Sequence, residues 1–129
     1  MSALSNYLEN ALVNAVLRNT TYTSPATVYV ALFTTNPNED SSGTEVSGSN
    51  YSRMAVTFAA PSNGSTSNSA LITFPTPSGA WGTITHFGIF DAASSGNLLW
   101  YGALDASITI TGSTTIFTFQ ASSLTCSLA

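Results

Sequence analysis

Hydrophobic and polar positions follow two different periods along the chain. From Leu8 to Val16, apolar residues recur at the spacing of one helix face, and Ser5 is placed to cap the first turn. Asparagine and glutamate occupy the other side, and the pattern stops at a polar Asn-Thr-Thr segment. The sequence therefore predicts one N-terminal helix over residues 5–18.

Beyond this helix the pattern is that of strands and turns. Residues 27–34 are apolar on both faces, which indicates a strand that is buried on two sides. Short alternating segments follow, separated by polar turns such as residues 61–69 and residues 92–97. The predicted strands after the first are residues 53–60, 70–75, 81–91, 98–104, 106–112, 113–120 and 122–128. About seven or eight short strands with turns every ~8–12 residues are typical of a β-sandwich or barrel.

We therefore predict a mainly-β fold: an antiparallel β-sandwich of about seven or eight strands with one N-terminal α-helix, forming a single domain over residues 1–129. The longest irregular segment, residues 35–52, contains three acids and several turn-forming residues, so it predicts a surface arm. Its acids are Glu39, Asp40 and Glu45. A solvated loop and weak calcium binding both suit clustered carboxylates, but the spacing of an EF-hand is missing and we assign no metal site.

Charge is scarce in this chain. Charged residues make up 6% of it, against about a quarter in typical soluble domains. Lysine is absent, Arg18 and Arg53 are the only strong bases, and the net charge is −4. Such a sequence cannot neutralise several phosphates, which excludes nucleic acid as a partner. A surface so poor in charge also favours an assembly in which neighbouring subunits cover much of it, so we expect a homo-oligomer.

Cysteine content and hydropathy indicate whether the chain has a disulfide, a secretory signal or a membrane span. The single cysteine, Cys126, excludes an internal disulfide. We expect no secretory signal, since the first residues lack a basic and then a long apolar region, and no membrane span, since no stretch reaches ~20 apolar residues.

Few residues are suited to catalysis. His86 is the only histidine, there is no Gly-x-Ser-x-Gly elbow, and without lysine there is no phosphate-binding loop. Asp91 and Asp105 suggest a pair of carboxylates like that of a glycosidase. However, Asp91 stands where a strand ends and a turn begins, a position that aspartate favours for backbone hydrogen bonds. We therefore predict a non-enzymatic protein without cofactors, metals or catalytic residues.

The contact residues of such an assembly are expected on the arm and on the hairpin tip. Arg53 is predicted to form a salt bridge with an acid of the arm or across an interface. His86, in phase with Ile84 and Phe90, is interpreted as a packed or interface residue. Trp100, in phase with Leu98, is interpreted as a core residue, with carbohydrate stacking as the alternative. The interface candidates are Glu39, Asp40, Glu45, Arg53, His86, Ser94, Ser95 and Asn97.

Several segments in order resemble a known family. They read "YTSPATVYVALFTTNP", "GTEVSGSNYSRMAVTF" and "ITFPTPSGAWGTITHFGIFDA", followed by "GNLLWYGAL". Nearly the whole chain thereby resembles the small tailed-bacteriophage proteins labelled phage tail fibre protein. The resemblance implies a structural protein of the virion, assembled in the cytoplasm of the bacterial host, without enzymatic activity. The chain lacks the repeats of a long fibre shaft, which favours a compact module in the tail tip or fibre base.

Two other roles remain open from the sequence. Small β-sandwich proteins also decorate and cement capsids, typically as trimers, and would then contact the major capsid protein. A module that binds a host receptor or glycan through the tip at residues 91–97 is the other alternative.

Overall fold

The computed structural model describes residues 2–128; the two ends of the predicted domain, Met1 and Ala129, lie outside the described residues. Its elements, in chain order, are β1 (Ser2–Leu4), α1 (Asn6–Leu17), β2 (Val28–Phe33), β3 (Met54–Val56), β4 (Ser65–Ser67), β5 (Ile72–Thr73), β6 (Gly82–Phe90), β7 (Leu98–Ile110), β8 (Thr118–Phe119) and β9 (Thr125–Ser127).

The strands form one large sheet and two small ones. Five strands are ordered β1-β7-β6-β2-β3, while β4 pairs with β9 and β5 pairs with β8. Every pairing is antiparallel. Apolar side chains from the large sheet and from both small sheets join one core. The predicted mainly-β antiparallel sandwich with one N-terminal helix is thus confirmed, with nine strands in residues 2–128.

Helix α1 begins where its capping residue predicts. The Ser5 hydroxyl accepts a hydrogen bond from the Leu8 backbone N–H at 3.2 Å and donates one to the Leu98 carbonyl. The first contact satisfies a backbone donor that the first turn leaves free, and the second attaches the helix to β7. Leu8 is buried in the core below. The helix, Asn6–Leu17, differs from the predicted residues 5–18 by one residue at each end.

Three strand predictions were wrong in detail. β1 was not predicted, and residues 61–69 are not only a turn, because β4 lies within them and pairs with β9. The two strands predicted over residues 98–104 and 106–112 are replaced by the single strand β7, Leu98–Ile110. A polar strand that pairs with a distant partner has no local hydrophobic signal, since its backbone rather than its side chains makes the pairing.

The larger register shift in the β6–β7 hairpin changes which side chains share a face. Ile84 is opposite Ile108 but His86 is opposite Ala103, so two steps along β6 match five along β7. Ile84 consequently lies in the main core, whereas His86 lies on the other face of the sheet, opposite Phe33. The predicted common phase of Ile84 and His86 is therefore wrong.

A second shift near the tip separates two more residues. Ile89 is opposite Trp100 and Phe90 is opposite Leu98, which leaves Leu99 as an extra residue. Trp100 packs against the main core, as predicted. Leu98 instead joins a second, smaller cluster on the other face, so the two residues do not share a face. That cluster consists of Ala31, Phe33, Phe90 and Leu98, with Tyr101 packed against it.

Candidate functional site

The arm, residues 35–52, is folded against the large sheet. Glu45 forms an isolated bridge with Phe33, and the Val46 N–H donates to the Leu32 carbonyl at 2.9 Å, so the arm extends the edge of β2. Pro37 is buried, and the Glu39 carbonyl accepts from the Asn6 N–H at 3.0 Å. Residues 35–52 contain none of the named strands, and their backbone is fixed at several points.

The hairpin tip, residues 91–97, is closed by Asp91. The Asp91 carboxylate accepts from the Asn97 backbone N–H at 2.7 Å and from the Asn97 side-chain amide at 3.0 Å. Gly96, at φ +76°, leaves room for that carboxylate, because a Cβ there would lie 2.5 Å from Asp91 Oδ1. The structure thus confirms the turn interpretation of Asp91.

Arg53 joins the arm to the tip. Its Nε and Nη2 donate to the two carboxylate oxygens of Glu45, each at 2.9 Å. Its Nη1 donates to the carbonyls of Ala92 at 2.9 Å and Ser95 at 2.7 Å. The guanidinium carbon lies 3.7 Å from the centroid of the Phe90 ring. The predicted salt bridge to an acid of the arm is therefore present, and it is bidentate.

The guanidinium is enclosed. The side chain of Arg53 is only 7% exposed and that of Glu45 is 26% exposed. Because little water surrounds the guanidinium, its ion pair with Glu45 and its hydrogen bonds to the two carbonyls are stronger than they would be in water. We call the arm, Arg53 and the tip together the arm–tip platform.

Tyr51 joins Glu45 of the platform to β2 and is not among the residues that the sequence predicted for the site. Its hydroxyl accepts from the Leu32 N–H at 3.0 Å and donates to Glu45 Oε2 at 2.7 Å. Its ring stacks edge-on against Trp81 with the ring centroids 5.4 Å apart. Burial and then the Glu45 carboxylate raise the pKa of Tyr51 above its ordinary value, so the hydroxyl stays protonated. The usable signal was the Tyr-x-Arg spacing, which places Tyr51 and Arg53 on one side of an extended segment.

Seven of the eight predicted interface residues lie on the platform. Glu45, Arg53, Ser94 and Ser95 line a cleft of about 320 Å³. Glu39, Asp40 and Asn97 line a neighbouring cleft of about 300 Å³, which also includes the start of α1.

His86 lies apart from the other seven. Its Nδ1 is 2.8 Å from the Thr85 hydroxyl, and it lines a cleft of about 210 Å³ together with Asn36 and Tyr101. Partial burial lowers the pKa of His86 below its ordinary value. The eight predicted interface residues therefore do not form one surface: seven lie on the platform, and His86 lies on the face of the large sheet.

A cleft of about 560 Å³, larger than the three described above, opens between β7 and the C-terminal segment. Asp105 is its only charged lining residue, and its floor includes Phe87 and Phe117. Within residues 2–128, no three His, Cys, Asp or Glu side chains are grouped so that they could hold a metal ion. The same part of the chain contains no helix long and apolar enough to cross a membrane.

The sequence matches the model of one protein family. That family is described as podophage GP4 fibre I protein gp80, and the match covers residues 3–127. The chain therefore belongs to this family of phage fibre proteins, which confirms the resemblance to phage fibre-type proteins. It is accordingly assigned to the structural proteins of the virion, where fibre proteins associate with other virion proteins. No curated protein matches the sequence.

Proposed function

We propose that this chain is a non-enzymatic, self-associating module of the tail or fibre-base region, assembled in the host cytoplasm, and that the arm–tip platform binds a neighbouring virion protein. The observation that carries the proposal is the enclosed contact of Arg53 with Glu45, Ala92 and Ser95, which holds two loops together as one surface.

A fixed pair of loops is well suited to protein contact. A mobile loop loses conformational entropy when it binds a partner, and this loss weakens binding. A loop that the fold already holds in place loses much less. The exposed edge of the platform offers hydroxyl, amide and carboxylate groups from Ser94, Ser95, Asn97 and Asp40. Loops that project from a rigid sheet commonly carry recognition.

The positions of the acids support a structural role. The Asp91 carboxylate is occupied by Asn97. Asp105 lies beyond the Ala103–His86 pair of the hairpin, so at least ~15 Å of strand separates it from Asp91 at ~3.3 Å per residue. Glycosidase carboxylates are held about 5–10 Å apart, so these two acids do not suit that chemistry.

The test is the incorporation of variants into phage particles. Ser94→Arg places a long cation at the exposed edge of the platform, and Ser113→Arg is the matched control. Ser113 is an exposed turn residue beyond Ile110, which pairs with Gly82 at the end of the hairpin opposite the tip. We expect Ser94→Arg to fold but to be depleted from purified particles by quantitative mass spectrometry, and Ser113→Arg to be incorporated normally.

The same particles decide between the alternatives. Tens of copies per particle, with density at the tail in a cryo-electron microscopy map, support the proposal, whereas copies on the order of hundreds would assign the chain to capsid decoration. Normal incorporation of Ser94→Arg combined with lost adsorption to host cells would assign the tip to receptor or glycan binding. Equal incorporation and equal adsorption of the two variants would contradict a role for the platform in either contact.

A further inference from the structure

The guanidinium of Arg53 has one hydrogen-bond donor without an acceptor in the chain. A guanidinium carries five N–H groups. Nε and one N–H of Nη2 donate to Glu45, and Nη1 donates to the carbonyls of Ala92 and Ser95. Within residues 2–128 the second N–H of Nη2 has no acceptor, although the Arg53 side chain is only 7% exposed. A donor in so enclosed a place is costly to leave unpaired.

The planar shape of the guanidinium fixes the direction of this fifth N–H. The edge formed by Nε and Nη2 faces Glu45, and Nη1 faces the carbonyls of the tip, so the fifth N–H stands at the end of the group between these partners. Arg53, Glu45 and Ser95 line the same cleft of about 320 Å³. The fifth N–H therefore opens onto this cleft, which we call the platform cleft.

The arm adds the edge of an extended strand to the platform cleft. The Val46 N–H donates to the Leu32 carbonyl, one residue beyond the bridge between Glu45 and Phe33. Backbone groups alternate in direction along an antiparallel pair, so the N–H and C=O of Glu45 point away from β2. Glu45, Val46 and Ser47 all line the cleft. Outward-pointing backbone groups at such an edge can pair with another extended segment.

The charges around the cleft favour a neutral acceptor. Of the described residues that line it, Arg53 and Glu45 alone are charged, and they form an ion pair. An acceptor on the fifth N–H would lie on the order of 5 Å from the Glu45 oxygen that is bound to the same nitrogen, Nη2. A carboxylate at that distance would be repelled by Glu45, whereas an amide carbonyl would not.

The lining of the cleft suits a peptide better than a sugar. A sugar commonly stacks on an aromatic ring, which must then be exposed. Tyr51 is the only aromatic residue among those that line the cleft, and its ring packs edge-on against Trp81. Its hydroxyl is already bonded to Leu32 and Glu45. A peptide backbone needs no ring, because its N–H and C=O groups can pair directly with the strand edge.

We propose that the platform cleft binds an extended segment of the neighbouring virion protein. A backbone carbonyl of this segment accepts the fifth N–H of Arg53, and its backbone pairs with the outer edge of Glu45. This inference rests on the proposed function and names the group that the platform recognises. An occupant without an acceptor would leave the fifth N–H enclosed and unpaired, so the cleft discriminates against it.

The first experiment fills the cleft. Ser47 is exposed and lines the cleft, so Ser47→Trp occupies the space, whereas Ser47→Ala leaves it open. We expect Ser47→Trp to be depleted from purified phage particles at least about tenfold relative to Ser47→Ala, measured by quantitative mass spectrometry. Ser52→Trp, at a second exposed lining residue, should be depleted in the same way. Ser113→Trp, at the far end of the hairpin, should be incorporated normally.

The two arginines allow the fold of each variant to be checked. Labelling arginine with ¹⁵N gives guanidinium signals from Arg18 and Arg53 alone. The Nε–H of Arg53 is bonded to Glu45, so its NMR signal reports whether the arm and the tip remain joined. Depletion supports the proposal when this signal is unchanged in the variant.

The second experiment identifies the acceptor. In a map of the native particle that resolves side chains, we expect a backbone carbonyl oxygen of another chain within ~3.2 Å of Arg53 Nη2. A carboxylate, a glycan or water alone at this position would overturn the proposal.

The outcomes separate this inference from the proposed function. Depletion of Ser94→Arg together with normal incorporation of Ser47→Trp and Ser52→Trp would overturn binding in the cleft and leave the platform as a contact surface. Normal incorporation of all three variants, or absence of the chain from phage particles, would overturn both.

Discussion

The arm–tip platform and the outer face of α1 are both exposed surfaces, but they are built in opposite ways. On the platform, four of the five guanidinium N–H groups of Arg53 donate to acceptors on the arm or the tip, and the guanidinium is enclosed. On the helix, Val16 and Leu17 are more than three-quarters exposed. One surface is polar and mostly paired within the chain; the other is apolar and exposed.

The difference suggests two kinds of partner. Burying an apolar face is favourable by about 25 cal/mol per Å², so such a face favours a long-lived contact with another apolar surface. A polar surface gains little from desolvation but specifies the direction of hydrogen bonds. The helix face is therefore suited to a long-lived contact, and the platform is suited to recognition of a different protein.

The largest expected effect is that of Arg53→Ala. It leaves the carbonyls of Ala92 and Ser95 without their donor and Glu45 with the Tyr51 hydroxyl alone, in an enclosed site, and we expect a loss of about 3 kcal/mol in the free energy of unfolding. Urea unfolding followed by tryptophan fluorescence measures it. Arg18→Ala on the helix is the control and should change stability by under about 0.5 kcal/mol. Equal losses for the two variants would contradict the distinction between the surfaces.

The second effect concerns the rigidity of the tip. Gly96→Ala combines a left-handed backbone with a clash against Asp91 and Ala92, and we expect a loss of about 2–3 kcal/mol. Gly48→Ala on the arm has a similar φ, +72°, but open space around its Cβ, so about 1 kcal/mol is expected there. Thermal unfolding of both variants tests this. A loss at Gly96 no larger than at Gly48 would mean that the tip adjusts freely.

A smaller effect is expected for the hydroxyl of Tyr51. Tyr51→Phe keeps the ring and removes the acceptor of the Leu32 N–H and one of the three hydrogen bonds to Glu45, at an expected loss of about 1–2 kcal/mol. Tyr7→Phe, at a helix position that is 43% exposed, should be neutral. The free energies of unfolding in urea provide the comparison. A neutral Tyr51→Phe would show that the Tyr51 hydroxyl does not contribute to holding Glu45 and the arm in place.

The smallest effect is a pH dependence at His86, outside both surfaces. Partial burial lowers the pKa of folded His86, so the unfolded chain binds the proton more tightly. The neutral histidine therefore contributes stability that is present above the unfolded pKa of ~6.5 and is lost as the pH falls below it. The only other titratable side chain lining its cleft is that of Tyr101. Below pH ~6.5, the free energy of unfolding of the native chain should fall more steeply with decreasing pH than that of His86→Gln. Parallel pH dependences of the two free energies would contradict this role.

How far the sequence predicted the site depended on the range of each interaction. The Asp91 turn and the Ser5 cap were predictable because their partners lie within a few residues. The partner of Arg53 was predictable as an acid of the arm, because the chain offers few charges. The carbonyls of Ala92 and Ser95 were not predictable, since every residue carries a carbonyl and only the fold brings these two near Arg53.

Local spacing therefore determined the helix, most of the strands and the turn at Asp91, because helix faces, alternation and capping operate over a few residues. Tertiary structure decided which residues share a face. The extra residues of β7 moved His86 away from Ile84 and Leu98 away from Trp100, and a bulge is set by pairing with another strand rather than by side-chain pattern. Tertiary structure also placed the arm beside the tip. The two loops are about forty residues apart in the sequence, and only long-range packing brings both of them to Arg53.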